Sequence, residues 1–305
     1  MDLLFHQDIV VATLASGSRG NCTYIGDDRS GILVDCGLST RQILTRLDEV
    51  GLGAARIEAV LLTHEHTDHV GAARVLDERL RRRQGRRVPF YASRGTRIGL
   101  DRRCTPSGLV EAISGQTFRV GSFVVDPFTI PHDTRDPLAY VVERAGVCVG
   151  VITDLGRSTR LVEAQVSRLD VAVLEFNHDL EMLLDGPYPW SLKQRVKGPH
   201  GHLSNAQSAE VLVAGASSRL RHVVLAHLSD DNNTPDAALL AAEEAVQRAG
   251  LSDVTLTVAR QGTPIAPIHV RARARPVGPP RPARLPRPRA PLAKDVGSPQ
   301  LALFG

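Results

Sequence analysis

Three histidines and two carboxylates lie within a few positions of one another in the segment THEHTDHVG: His64, Glu65, His66, Asp68 and His69. They directly follow Ile57–Leu62, an apolar run that is typical of a buried strand. In an extended backbone alternate side chains share a face, so we expect His64, His66 and Asp68 to converge. His69 would then face a neighbouring second ion. Imidazole and carboxylate ligands suit Zn²⁺, Mn²⁺ or Fe²⁺, and the alternative interpretation is a solvated polar turn.

Further metal-binding side chains are expected after other strands, because such centres are assembled from segments that are distant in the sequence. Three polar residues follow strand-like apolar runs: His132, Asp154 and His227. One such residue alone would more often be the polar end of a strand. Together with the histidine cluster, the three predict a single metal centre built from four parts of the chain.

Strand-like and helix-like segments alternate along the chain. Strands are predicted at residues 9–15, 32–35, 57–62, 89–92, 117–120, 123–130, 139–143, 147–153, 171–175, 222–226 and 254–259. Helices are predicted at residues 40–50, 70–82, 158–166, 205–214 and 235–249. Two strand-rich halves flanked by helices indicate a layered α/β sandwich.

Composition favours a soluble enzyme of the cytoplasm. Hydrophobic residues make up 42% of the chain and charged residues 23%, which is ordinary for a globular domain. The four cysteines have no CxxC spacing, and three of them, Cys22, Cys36 and Cys148, lie in apolar runs typical of buried free thiols. No apolar run is long enough to span a membrane, and the first residues do not resemble a signal peptide.

The C-terminal segment differs from the rest of the chain. Residues 271–294 contain seven Arg, one Lys, seven Pro and no acidic residue, so they should be disordered or polyproline-like. We therefore expect a folded domain at residues 1–265 and a basic tail at residues 266–305. This segment carries eight basic residues, whereas the net charge of the whole chain is only +4. The part of the chain without the segment is therefore mildly acidic. The tail could attract phosphodiester backbones, or it could serve solubility alone.

The order of these motifs resembles the metallo-β-lactamase-fold hydrolase superfamily. The matching positions are Asp35, the His64-x-His66-x-Asp68-His69 segment, His132, Asp154 and His227. The resemblance implies a four-layer αββα sandwich and two divalent metal ions. It implies that one ion is held by His64, His66 and His132. It implies that the other is held by Asp68, His69 and His227, with Asp154 between them and Asp35 orienting the ligands.

Longer motifs narrow the resemblance to the YycJ/WalJ branch of that superfamily. They are residues 15–22 (ASGSRGNC), 175–179 (EFNHD), 186–195 (GPYPWSLKQR), 201–205 (GHLSN) and 226–235 (AHLSDDNNTP). The likeness runs from about residue 8 to residue 260. This branch implies a metal-dependent 5′–3′ exonuclease with a link to DNA repair.

Several further residues are expected to take part in the chemistry. Two ions would activate a shared hydroxide and stabilise a displaced phosphate, with Asp68 and Asp154 as catalytic carboxylates. His202 is a candidate general acid, or an ordinary loop histidine. His178 would either orient a ligand or touch the substrate.

Substrate contacts are expected in the loops around the centre, at Ser18, Asn21, Lys193, Arg195, Ser204 and Asn205. Lys193 and Arg195 could bind phosphate, and Ser204 and Asn205 would cap a helix whose N-terminus accepts phosphate. Tyr188 and Trp190 could stack on a base, or pack under a long loop.

Three function classes remain open from the residues. The first is a phosphodiesterase acting on nucleic acid, either single strands or DNA ends, as the branch and the basic tail indicate. The second is a hydrolase of a small thioester or lactam, which would use the same ions. The third is a metal-dependent nucleic-acid-binding protein without catalysis. The oligomeric state and the choice between DNA and RNA have no signal in the sequence.

Overall fold

The computed structural model describes residues 8–271 of the chain. Seven strands form the first sheet: β1 (Ile9–Ala15), β2 (Cys22–Gly26), β3 (Ser30–Val34), β4 (Arg56–Leu61), β5 (Phe90–Ala92), β6 (Leu109–Glu111) and β14 (Ile268–Val270). Seven form the second: β7 (Phe118–Val120), β8 (Phe123–Thr129), β9 (Leu138–Arg144), β10 (Val147–Ile152), β11 (Val171–Glu175), β12 (His222–Ala226) and β13 (Thr255–Val258). Their orders are β14-β1-β2-β3-β4-β5-β6 and β13-β12-β11-β10-β9-β8-β7.

Helices connect and cover these sheets: α1 (Thr40–Glu49), α2 (Thr67–Val70), α3 (Ala73–Gln84), α4 (Arg94–Gly99), α5 (Arg160–Val166), α6 (Leu180–Asp185), α7 (Trp190–Val196), α8 (Asn205–Gly215) and α9 (Pro235–Arg248). Within residues 8–271, none of the helices has both the length and the apolar composition needed to cross a membrane. The predicted strands and helices all recur with small shifts at their ends. The short elements β2, β6, β14, α2, α4, α6 and α7 were not predicted, because each has seven residues or fewer and gives little periodic signal.

The core consists of three apolar layers created by the two-residue period of the strands. In β1, Val11 packs between the sheets with residues such as Val173 of β11. Its neighbour Val10 faces the other way and packs with Ile43 of α1 and Leu76 of α3. The outer face of the second sheet packs against α5, α8 and α9. The order helix, sheet, sheet, helix confirms the predicted αββα sandwich.

The edge strand β14 shows that the folded domain ends later in the chain than predicted. It pairs antiparallel with β1, with Val270 opposite Ile9 and Ile268 opposite Val11. The sheet therefore extends beyond residue 265, where the sequence suggested that the domain ends, because Ile268 and Val270 bury their side chains at this edge. The remainder of the predicted tail, residues 272–305, lies outside the described residues, as do residues 1–7.

The predicted metal-binding residues follow the carboxyl ends of strands in both sheets. Strands β3 and β4 run parallel, and so do β10, β11 and β12. Parallel strands end at the same edge, which is where α/β proteins most often carry their binding sites. The residues just after β3, β4, β10 and β12 are therefore brought together by the fold.

Candidate metal centre

Asp35 comes directly after β3 and anchors two parts of the histidine cluster. Its carboxylate accepts hydrogen bonds from the backbone N–H of Thr63 at 2.9 Å and from the Thr63 hydroxyl at 3.0 Å. His69 donates from Nδ1 to the second carboxylate oxygen at 2.8 Å. Since Nδ1 is used in this way, Nε2 of His69 is the atom left to bind a metal ion. Asp35 thus lies where an orienting carboxylate is needed.

Three residues of the cluster adopt the left-handed backbone conformation that non-glycine residues rarely use. They are Asp35, Asp154 and His227, with φ values of 61°, 59° and 58°. Within residues 8–271 only Ala145 is a further non-glycine residue with positive φ. Such a conformation costs ~1–3 kcal/mol per residue and is concentrated at functional sites. Strain at three strand ends that meet in one place is therefore typical of an active centre.

The His64–Asp68 segment does not remain extended as predicted. The backbone is extended at His66, the N-cap of α2, and the helical turn begins at Thr67. A helix advances by about 100° per residue, so Asp68 leaves the face that His64 and His66 share. The prediction that these three side chains converge was wrong for this reason.

Within the described residues the side chains instead form four overlapping groups of possible ligands. One joins Asp154 with His64 and His69, and another joins it with Glu175, His202 and His227. The remaining two share no residue. His64 and His66 come together with His132, and Asp68 and His69 come together with His227. Within each group the potential ligand atoms all lie within 4.8 Å of one another. The two groups that share no residue are the ligand sets that the family resemblance implies.

Asp154 lies between the two groups. Its Oδ2 is 3.0 Å from Nε2 of His69, and its Oδ1 is 3.5 Å from Nε2 of His227 and 3.9 Å from Nε2 of His132. The carboxylate is 2% exposed, so it has almost no water to compensate its charge. One buried carboxylate therefore faces imidazoles of both groups.

Unsatisfied buried atoms in the centre fit a divalent metal ion. Nε2 of His132, Nε2 of His227 and Oδ2 of Asp154 are buried and have no hydrogen-bond partner among the described residues. Buried polar atoms are rarely left without partners, and these three point into the same cluster. The donors are imidazole nitrogens and carboxylate oxygens, with no thiolate. This set fits Zn²⁺, Mn²⁺ or Fe²⁺.

Glu175 is a member of the centre that the sequence did not reveal as such. It is the last residue of β11 and fully buried. Its Oε1 lies 2.8 Å from Nδ1 of His202 and 3.3 Å from Nδ1 of His227, while its Oε2 accepts from the backbone N–H of Leu155 and Leu203. Burial alone would raise the pKa of this carboxyl, but His202 and His227 hold the pKa at about 2. Glu175 thus stays ionised and holds both imidazoles.

Burial and the neighbouring charges set the protonation of the ligands. Burial would raise the pKa of Asp154, but His227 and His69 hold it well below its usual value. Burial would lower the pKa of His69, but Asp154 and Asp35 raise it well above the ordinary value. The pKa of His64 is lowered well below its ordinary value by burial and by His69. Metal binding thus competes with protons at His69, whereas His64 is neutral and ready to bind.

Comparison with known proteins shows to which family the chain belongs. Residues 31–228 match the model of the beta-lactamase superfamily domain. The chain belongs to the β-lactamase superfamily. Its sequence is similar to exodeoxyribonuclease YycJ of Bacillus anthracis, with 30% identity over 243 residues that cover 78% of this chain and 89% of that protein. It is also similar to exodeoxyribonuclease WalJ of Streptococcus pneumoniae, with 32% identity over 231 residues that cover 74% and 83%.

A solved structure gives the same fold. The chain is similar to the metallo-beta-lactamase fold protein YhfI of Bacillus subtilis, with a TM-score of 0.61 and 14% identity. The superposition covers 85% of this chain and 99% of that one. The comparisons confirm the metallo-β-lactamase fold and the YycJ/WalJ-type branch. With the His/Asp groups described above, they make this chain a metal-dependent hydrolase of the superfamily.

Three residues that were predicted to contact the substrate form hydrogen bonds inside the protein instead. Asn21 is buried and holds Gly17 through its side-chain amide, with Nδ2 3.0 Å from Nε2 of His69. Lys193 is buried and donates from Nζ to the carbonyl oxygen of Leu184 at 2.5 Å. Asn205 is buried too, and its amide pairs reciprocally with that of Asn233 at 2.9 Å. Since their polar groups are already satisfied, the structure does not support substrate contacts for them.

The other predicted contacts remain accessible or act as caps. Ser18 is exposed in the loop between β1 and β2. Ser204 is the N-cap of α8, and Oγ accepts from the backbone N–H of Gln207 within a capping box. Asn205 is the first helical residue rather than a cap. Arg195 is 60% exposed, and its Nε donates to Oδ2 of Asp133 at 2.6 Å.

Asp133 and Arg195 lie at the edge of the centre. Oδ1 of Asp133 lies 3.5 Å from Nε2 of His132, so Arg195 contacts the rim of the ligand cluster through one carboxylate.

His178 is buried, and burial lowers its pKa to about 4. Its Nδ1 lies 3.3 Å from Oδ1 of Asn177, whose Nδ2 donates to the backbone oxygen of His227. His178 therefore packs behind the His227 loop and is not part of the ligand groups.

Proposed function

We propose that this hydrolase is a metal-dependent phosphodiesterase that degrades nucleic acid as a 5′–3′ exonuclease, with DNA as the substrate. The observation that carries the proposal is the contact of His202 with Glu175 beside the metal ligands. A phosphodiester leaves through a sugar alkoxide, which needs a proton as the bond breaks. A thioester leaves as a thiolate, whose much lower basicity makes that proton unnecessary.

His202 is suited to supply this proton. Its Nδ1 faces Oε1 of Glu175 at 2.8 Å, so Nε2 is free to donate. Burial alone would lower the pKa of His202, but Glu175 raises it above the ordinary imidazole value. The side chain is 21% exposed, and Nδ1 lies 3.6 Å from Oδ1 of Asp154. We therefore assign protonation of the leaving oxygen to Nε2 of His202, with Glu175 as its positioning carboxylate.

The ligands are assigned to two ions. We propose that His64, His66 and His132 hold one ion and Asp68, His69 and His227 the other, with Asp154 shared and Asp35 orienting His69. When bound, two such ions lower the pKa of a water and stabilise charge on the displaced phosphate. Arg195, at the rim through Asp133, is placed to pair with a phosphate of the strand.

The similar proteins support a nucleic-acid substrate. Both YycJ of Bacillus anthracis and WalJ of Streptococcus pneumoniae are named exodeoxyribonucleases, and each aligns over more than four fifths of its own length. All four cysteines are free thiols, as expected for the proposed cytoplasmic location.

The proposal is tested with one single strand carrying a label at its 5′ or its 3′ end, as DNA and as RNA, with Mn²⁺, Zn²⁺ or chelator. A 5′–3′ exonuclease releases the 5′ label first as a short product and shortens the 3′-labelled strand progressively. A panel of thioesters and lactams is incubated in parallel. Turnover confined to that panel would overturn the proposal, and bound metal without turnover of either class would favour a binding protein.

A further inference from the structure

Helix α7 presents an exposed tryptophan at its first residue. Trp190 is the only tryptophan of the chain, and 63% of its surface is exposed. Tryptophan is a largely buried residue in most proteins, so an exposed ring on a helix suggests a binding role. Nζ of Lys197, one residue beyond the helix, lies 5.4 Å from the ring centroid.

The helix is held firmly in place. Buried Lys193 ties α7 to α6 through the carbonyl oxygen of Leu184, at 2.5 Å. At the other end, the backbone N–H of His202 donates to the carbonyl oxygen of Val196 at 2.8 Å. The segment that ends α7 is therefore bonded to the residue that carries the proposed proton donor, and the helix backbone is anchored beside the centre.

The helix that carries Trp190 also carries a cation that contacts the rim of the metal centre. Arg195 lies five residues further along the helix, which is about 7.5 Å along its axis. Its guanidinium contacts Asp133 at 2.6 Å, and Asp133 lies 3.5 Å from Nε2 of His132. Because residues five apart differ by about 140° around a helix, Trp190 and Lys197 lie on one side of α7 and Arg195 on another, toward Asp133.

We propose that α7 is a binding subsite for single-stranded nucleic acid, in which a base stacks on Trp190 and Lys197 pairs with the neighbouring phosphate, while Arg195 pairs with a phosphate nearer the centre. The inference rests on the proposed nuclease function and names where the strand lies. An exposed ring with a lysine beside it fits the stacking surfaces that bind single strands without sequence preference. A protein partner fits less well, because lysine is depleted in the cores of protein interfaces.

The single tryptophan allows a direct test in the full-length chain. The protein is stripped with chelator, so that no strand is cleaved, and titrated with an oligothymidylate and with an abasic strand of equal length. We expect the oligothymidylate to quench the fluorescence emission of Trp190. The abasic strand should quench it much less, because it brings phosphates without bases. Affinity is measured separately by anisotropy of a labelled strand.

Substitutions separate stacking from other effects. Trp190→Ala should weaken strand binding at least about fivefold and raise KM more than it lowers kcat, and Trp190→Phe should restore much of the affinity. Leu240→Ala is the matched control, because Leu240 is 59% exposed on α9 and should leave affinity unchanged.

Three results would overturn the inference, and a fourth would separate it from the nuclease function. Unchanged emission under a saturating strand, or equal affinity of Trp190→Ala, would exclude the subsite while leaving the nuclease function intact. Emission that responds to protein concentration and not to the strand would assign Trp190 to a protein contact and overturn the proposal. A quenched emission in a chain that hydrolyses no strand with any metal would support the subsite and refute the nuclease function.

Discussion

Oε1 of Glu175 lies 2.8 Å from Nδ1 of His202. The same oxygen lies 3.3 Å from Nδ1 of His227, so one buried carboxylate positions a candidate proton donor and a candidate metal ligand together. The imidazole rings of His202 and His227 are stacked, with centroids 5.3 Å apart. We therefore expect metal binding and leaving-group protonation to be coupled through Glu175.

Replacing His202 by alanine should slow hydrolysis of an oligonucleotide by about 10²–10⁴-fold, since a general acid typically contributes that much. The loss should be much smaller with a nitrophenyl phosphodiester, because its leaving group departs without a proton. Steady-state turnover of both substrates at saturating metal is the measurement. Equal losses on the two substrates would contradict the role of His202 as the acid.

Glu175→Gln should change the pH profile as well as the rate. A general acid acts in its protonated form, so activity falls as pH rises through the pKa of His202. Glu175 raises that pKa, and its removal should therefore move the falling limb to lower pH. The profile of kcat, recorded at saturating metal for both proteins, checks this. An unshifted limb would show that Glu175 does not set the protonation of His202.

Asp35→Asn should weaken metal binding by about 10–100-fold, because the carboxylate that orients His69 is lost. Asp77→Asn is a matched control. Asp77 is buried outside the centre and accepts from the backbone N–H of Ser107 at 2.7 Å, so its loss should affect stability alone. Competition with a chromophoric chelator measures both affinities. Equal metal affinities of the two variants would contradict the role of Asp35.

Metal binding should release protons near neutral pH. Burial would lower the pKa of His227, but Asp154, Asp68 and Glu175 raise it to about 10. The metal-free imidazole therefore holds a proton at pH 7, which the ion displaces, and metal affinity should rise with pH below that pKa. Calorimetric titrations in two buffers of different ionisation enthalpy should give different heats. Identical heats, with an affinity independent of pH, would be incompatible with His227 as a ligand.

Ending the chain after Arg271 should weaken binding of single strands and leave kcat unchanged. The truncation retains β14 and the metal centre but removes seven basic residues. Each lost phosphate contact should flatten the log–log salt slope by about 0.7. Affinities of the full-length and shortened chains for one oligonucleotide, compared at low and moderate salt, test this. Equal affinities and equal slopes would show that the tail is passive.

The expectation that metal-binding side chains follow the ends of apolar strands located most of the centre from the sequence alone. His132, Asp154 and His227 each follow an apolar run, and the structure brings all three to the histidine cluster. Glu175 obeys the same rule, since it ends β11 and lies opposite Ala226, the residue before His227 in the parallel neighbour. A search for acids at the ends of apolar strands would have found it.

Local patterns failed where tertiary packing decides the outcome. The spacing of His64, His66 and Asp68 suits an extended chain, but a helical turn begins at Thr67 and buries His69 and Val70. Lys193 reads as an exposed cation in the sequence, yet it is buried under a short helix pair that has no strong periodic signal. Burial of a long polar side chain depends on contacts that a single sequence does not reveal.

Dependence of nuclease turnover on added metal tests the central claim most directly. The full-length chain is stripped with chelator and titrated with Mn²⁺ or Zn²⁺ while release of the 5′ label from a single strand is followed. We predict no turnover before metal is added, and a rise that saturates at two ions per chain. Turnover in the stripped protein, or none at any metal concentration while the ions bind, would contradict the assignment of this chain as a two-metal exonuclease.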